Sequence, residues 1–147
     1  MASKHIIFWG VALAVFFLDR ISKTIVRNYI SLNSSINLNF FSLTHVMNTG
    51  TAFGLLKNAS WFFIIFAAAV SVFLVLKYKN FSVGMQPLLG LILGGALGNL
   101  LDRLLYGAVV DFIDFHFWPA FNVADSAVSI AVLLLLWQEY GPKKRKI

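Results

Sequence analysis

Four long stretches almost free of charge, residues 6–18, 59–76, 87–101 and 123–137, limit this chain to very few folds. With flanking residues added, and at about 1.5 Å of rise per residue, each can cross most of a hydrocarbon layer roughly 30 Å thick. A 147-residue chain that is 59% hydrophobic has more apolar surface than a small soluble core can hide. The expected fold is an all-α membrane protein of four transmembrane helices, a single domain over residues 1–147.

The pattern sets the organisation. Helix 1 is expected over about residues 5–27, helix 2 over 59–76, helix 3 from Pro87 to near Tyr106, and helix 4 over 122–139. Pro87 suits a first helical turn. Asp19, Arg20 and Lys23 follow the first apolar run where a cleavable leader would carry small residues, so that run reads as a retained helix. Residues 28–58 form the only long connection. Ile36-Asn37-Leu38-Asn39-Phe40 alternates apolar and polar like a half-buried strand, and residues 43–47 form a second extended stretch. A small extracytoplasmic β-sheet in this first loop follows. Gly90, Gly94 and Gly98 give helix 3 a smooth face, read as a close-packing surface.

The net charge of +6 is distributed as topology charge: four of the twelve basic residues lie in residues 143–146, and Lys77 and Lys79 flank a short connection. That places both termini in the cytoplasm and argues against a nucleic-acid partner. Arg20, Lys23 and Arg27 then fall at the outer end of helix 1, against the trend. The absence of cysteine excludes disulfides and thiol chemistry. His5, His45 and His116 lack metal-ligand spacing and read as interface residues, so no metal and no cofactor is expected.

In this topology five of the six acids gather at the outer end, among amides and cations. A charge deep in a bilayer costs about 2.5–3.5 kcal/mol on insertion scales, so these groups need partners. Taken singly, each has a structural explanation. Asp19 and Lys23 form a favourable i,i+4 pair. Asp102 beside Arg103 can anchor a helix at the interface. Asn122 with Asp125 resembles an N-cap with an acid at the third position. Taken together they suggest chemistry. Asp111 and Asp125 flank Pro119 and can face each other, and two close carboxylates share a proton, which suits activation of water. Asp114 is expected to turn away from Asp111 if residues 109–114 are extended. A proton-coupled transporter, a carboxylate-metal hydrolase and a purely structural bundle are the rival readings. The confinement of polar groups to one end and the lack of repeats weigh against the transporter.

Five blocks also carry a family resemblance over nearly the whole chain: Leu18-Asp19-Arg20-Ile21-Ser22-Lys23, Asn48-Thr49-Gly50-Thr51-Ala52-Phe53, Gly94 through Arg103, Val109-Val110-Asp111-Phe112-Ile113-Asp114, and Phe121-Asn122-Val123-Ala124-Asp125-Ser126. They resemble the blocks of the lipoprotein signal peptidase (signal peptidase II) family. The resemblance implies an aspartic endopeptidase of the bacterial inner membrane that cleaves diacylglyceryl-modified prolipoproteins just before the lipidated cysteine. It implies catalysis by Asp111 and Asp125, and a substrate-lining or dyad-orienting role for Asn48, Asn99, Arg103 and Asn122. Asp19, Lys23 and Asp102 are expected to be supporting residues. Membrane lipid and cyclic peptide inhibitors of the globomycin type are the further partners it implies.

Overall fold

The computed structural model describes residues 2–50 and 60–141, with side chains from residue 5 onward. Thr51-Ala52-Phe53 of the second block and the basic residues 143–146 lie outside the described residues. The elements run α1 (Ala2–Tyr29), β1 (Ser35–Asn37), β2 (Ser42–Asn48), α2 (Ser60–Lys77), α3 (Gln86–Tyr106), β3 (Val109–Asp114) and α4 (Val123–Tyr140). Two 3-10 turns, Tyr78–Asn80 and Val83–Met85, fill the short link between α2 and α3.

All four helices are long and apolar enough to cross a membrane, and the chain is a multi-pass membrane protein. Leu13, Phe17 and Ile21 on α1 and Leu133, Leu136 and Trp137 on α4 face outward, as lipid-facing positions should. The central helix is α3, which is far more buried than the other three. It packs on α1, α2 and α4.

Glycine makes that central position possible. A Cβ on Gly90 would stand 2.7 Å from the Phe8 carbonyl oxygen, and one on Gly94 would stand 2.5 Å from that of Ala12. Gly95 faces α4 instead, where a Cβ would stand 2.6 Å from the Ala124 oxygen. The smooth face is therefore a seam with α1, and one extra glycine serves α4. Without a hydrophobic drive between helices in lipid, such backbone approach is a main source of packing energy.

The sheet is antiparallel, ordered β1-β2-β3. Its third strand comes from beyond α3, so the extended stretch of the first loop pairs with residues 109–114, Val46 opposite Asp111 and Asn48 opposite Val109. Val110 and Phe112 turn toward Val26 and Ile30 of α1 and form a buried cluster with them. Period-two alternation then sends Asp111 to the other side. Phe121 bonds back to Phe112 and Ile113, closing the connection through Pro119 and bringing Asn122 beside β3. α3 stops at Gly107, whose φ of 73° is the left-handed cap that lets the chain reverse into β3.

The glycine seam is tested by contrast. Gly94→Val should lower stability in detergent by about 2 kcal/mol or more, through overpacking against α1. Gly10→Ala, where an added Cβ meets nothing within 4 Å, should be neutral or gain up to about 1 kcal/mol. Equal thermal unfolding of the two variants would remove the seam from the account.

Candidate active site

Each carboxylate at the site is held by two donors from different parts of the chain. Asp111 is 2% exposed on β3. Its Oδ1 accepts from Asn122 Nδ2 at 2.7 Å and its Oδ2 from Asn48 Nδ2 at 2.9 Å. Asp125 accepts from Asn99 Nδ2 at 2.8 Å and from the backbone N–H of Asn122 at 3.3 Å. Asn122 in turn accepts from the Asp125 N–H at 2.9 Å, so the expected N-cap is a complete capping box. One residue, Asn122, therefore caps α4 and touches both carboxylates. The structural explanation and the chemical one are the same contacts.

Burial and then the neighbouring charge of Asp125 push the Asp111 carboxyl from an ordinary 3.8 up to about 7, against hydrogen bonds from Asn48 and Asn122 that favour its charged form. A buried carboxyl near neutrality beside a second carboxylate is a proton-sharing arrangement. Asp114 lies apart from it. It is half-buried at the end of β3, where Oδ1 accepts the His116 N–H at 2.7 Å.

Beneath the pair lies an ion network. Lys23 is fully buried; its ammonium forms ion pairs with Asp19 Oδ2 at 2.7 Å and Asp102 Oδ2 at 2.9 Å and donates a hydrogen bond to Asn99 Oδ1 at 2.9 Å. The other oxygen of Asp19 accepts the Ala124 N–H at 3.0 Å, at the start of α4. Asp102 is also fully buried; it accepts from Arg20 and from the Val110 N–H at 3.3 Å. Asp102 is thus no interface anchor, because it joins α1, α3 and β3 from the inside. The Arg20 partnership was not foreseen in the sequence. Its signal is the cation directly after Asp19, which faces a different side of the helix from Lys23.

The carboxylates open into a cavity of about 910 Å³. Its polar end carries Asn48, Asn99, Arg103, Asp111 and Asp125; its apolar length runs between α2, α3 and α4, past residues such as Phe66, Ile92 and Leu133. Ser126 and Ser129 continue the Asn122–Asp125 stripe along its wall. Arg103 places its guanidinium 5.0 Å from the centre of the Phe63 ring, and it enters no ion pair among the described residues. No group of three or more metal-ligating side chains occurs among the described residues. Of the histidines, His5 bonds the Tyr78 hydroxyl and His45 is buried against the Ile30 carbonyl, which makes it a packing residue rather than an interface one.

Comparison with known proteins decides the lineage. Residues 11–140 match the family model described as Signal peptidase (SPase) II. The chain belongs to the signal peptidase II family. A lipoprotein signal peptidase of Halothermothrix orenii is 45% identical over 136 residues, covering 88% of this chain and 94% of that protein. One from Shewanella baltica is 44% identical over 146 residues, covering 90% and 84%. A solved bacterial membrane enzyme superposes with a TM-score of 0.81 at 31% identity, covering 93% of this chain and 92% of that one.

Proposed function

We propose that this signal peptidase II family member removes signal peptides from prolipoproteins, with Asp111 and Asp125 as its catalytic pair. The observation that carries this reading is that Asn122 donates to both carboxylates at the polar end of the cavity, to Asp111 from its side chain and to Asp125 from its backbone N–H. One carboxylate takes a proton from water as the water oxygen attacks the scissile carbonyl carbon. The other gives its proton to the carbonyl oxygen. The abstracted proton then passes to the leaving nitrogen as the C–N bond breaks, and the pair regains its single proton from the collapsing diol.

The substrate class fits the shape. A diacylglyceryl-modified precursor stays in the bilayer, and the apolar length of the cavity between α2 and α4 suits its lipid and signal helix, while the peptide bond before the lipidated cysteine reaches the polar end. Arg103, whose Nε is buried without a hydrogen-bond partner, supplies donors for substrate carbonyl oxygens. Cyclic peptides of the globomycin type and membrane lipid would occupy the same cavity.

The charge distribution supports one orientation. The cations that seemed misplaced at the outer end of α1 are largely spoken for: Arg20 and Lys23 are neutralised by Asp102 and Asp19, and Arg27 stacks 3.8 Å from the centre of the Tyr106 ring. At the opposite end, Lys77 and Lys79 enter no ion pair among the described residues, and the sequence adds four more cations at 143–146, a balance that supports cytoplasmic termini and an extracytoplasmic sheet.

Three expectations follow. Asp111→Asn and Asp125→Asn should each lower cleavage of a lipidated precursor peptide by more than about a thousandfold, whereas Asp114→Asn keeps clearly measurable turnover; an inactive Asp114 variant beside an active Asp111 variant would reverse the assignment. The carboxyl of Asp111 keeps its proton up to about pH 7 and loses it above. A pair that needs one proton should therefore show kcat/KM falling about tenfold per pH unit above that value. Asn48→Ala removes a bond that favours the charged form, so the fall should move to higher pH; movement to lower pH would contradict it. In this cysteine-free chain, a cysteine at exposed Asn37 should react with an impermeant reagent added outside, and one at Lys79 only after permeabilisation. The opposite labelling would invert the topology.

A further inference from the structure

The two carboxylates have different surroundings. Asp125 is the third residue of α4, and one oxygen accepts a backbone N–H of that helix start, where the dipole favours negative charge. Asp111 sits on a strand, and both of its side-chain donors are amides without a cation behind them. The amide on Asp125 is different. Asn99 Oδ1 accepts from the Lys23 ammonium at 2.9 Å, and also from Asn122 Nδ2 at 3.2 Å. An ammonium has only donors, so Asn99 must present its oxygen to Lys23 and its NH₂ group to Asp125. A cation on the oxygen side also polarises the amide and strengthens the bond that it donates.

We propose that Lys23 acts through Asn99 as a positioning residue that keeps Asp125 the ionised member of the pair and leaves the shared proton on Asp111. This rests on the dyad reading above. The charged groups facing Asp125 are Lys23 from α1, Arg103 from α3 and Asp111 from β3; those facing Asp111 are Asp125 from α4, with Lys23 and Arg103 again. Both carboxylates therefore feel the same two cations. What separates them is the oriented Asn99 amide and the helix start. In the reaction, Asp125 takes the proton from water and later passes it to the leaving nitrogen. Asp111 protonates the carbonyl oxygen and recovers a proton from the diol hydroxyl, so both end as they began.

Isotope-edited infrared spectra of detergent-purified protein, with aspartate labelled at the carboxyl carbon, read the proton without turnover. At about pH 6, below the value reached by Asp111, wild type should show a protonated-carboxyl band that survives in Asp125→Asn and is lost in Asp111→Asn. Any other pattern overturns the assignment. Cleavage by either variant would instead count against the dyad, so the two failures are told apart. The relay is tested in the paired variant Asp19→Asn/Lys23→Met, which keeps net charge and leaves an acceptor for the Ala124 N–H. On the acid limb its kcat should fall about tenfold, equivalent to a shift of about one pH unit, with KM within about twofold. Asn99→Ala should reproduce the shift and add nothing when combined with the pair. A folded paired variant with an unmoved acid limb overturns the relay.

Discussion

Everything at the polar end of the bundle depends on one ammonium. Lys23 makes three contacts with three acceptors, and those acceptors lead to α4 through Asp19, to β3 through Asp102 and to Asp125 through Asn99. A fully buried charge is tolerated only when opposing charge and hydrogen-bonding groups stand close around it. Here the total is also balanced, since Arg20 supplies the second cation for the second aspartate. Such a cluster gains little net stability over an apolar core, because desolvation offsets much of the attraction. What it gives is fixed geometry.

That geometry requires the glycines. Gly98 faces Asp19 so closely that a Cβ would stand 2.5 Å from its carboxylate oxygen. A larger residue there would push Asp19 off the Lys23 contact, and with it the bond to the start of α4. The four-residue glycine spacing thus serves packing and electrostatics at once. Close backbone approach lets short side chains reach across helices, so Asp and Asn can form the network where a wider bundle would need longer residues.

Much of this was legible in the sequence. Charge-free runs gave the four helices within a residue or three of their observed ends, because length and hydropathy alone decide what spans a bilayer. Local patterns gave the Asn122–Asp125 capping box, the Asp19–Lys23 pair and the extended stretch at 43–47, since each is written within a few residues. The alternation at 36–40 did not become a half-buried strand, because β1 covers only Ser35–Asn37, is exposed throughout, and the chain turns at Asn39 with a φ of 70°. Long-range pairing was not legible. That β2 takes β3 as its partner, that Arg20 meets Asp102, and that apolar residues of three helices enclose one cavity all depend on how elements dock. The direction of Asp111 against Asp114 lay between these cases. It needed only the extended state of residues 109–114, and the weak signal for that state came from Val109 and Val110.

The same docking explains why topology charge is a matter of free charge rather than composition. Counted by residue type, α1 has three cations at the end that the proposed orientation puts outside, and the orientation looks poorly determined. Counted after pairing, two of the three sit within hydrogen-bonding distance of buried carboxylates and the third lies on an aromatic face. A paired cation presents little net charge to the membrane potential or to anionic headgroups. Pairing here also cannot wait for the mature bundle at small cost, because Asp19 and Lys23 lie one turn apart on α1 and can neutralise each other as soon as that helix forms. Arg20 needs α3 before it meets Asp102. In the proposed orientation, α1 therefore presents Arg20 and Arg27 until α3 docks, and the lysines beyond α2 and at the C-terminal end must hold the topology against them.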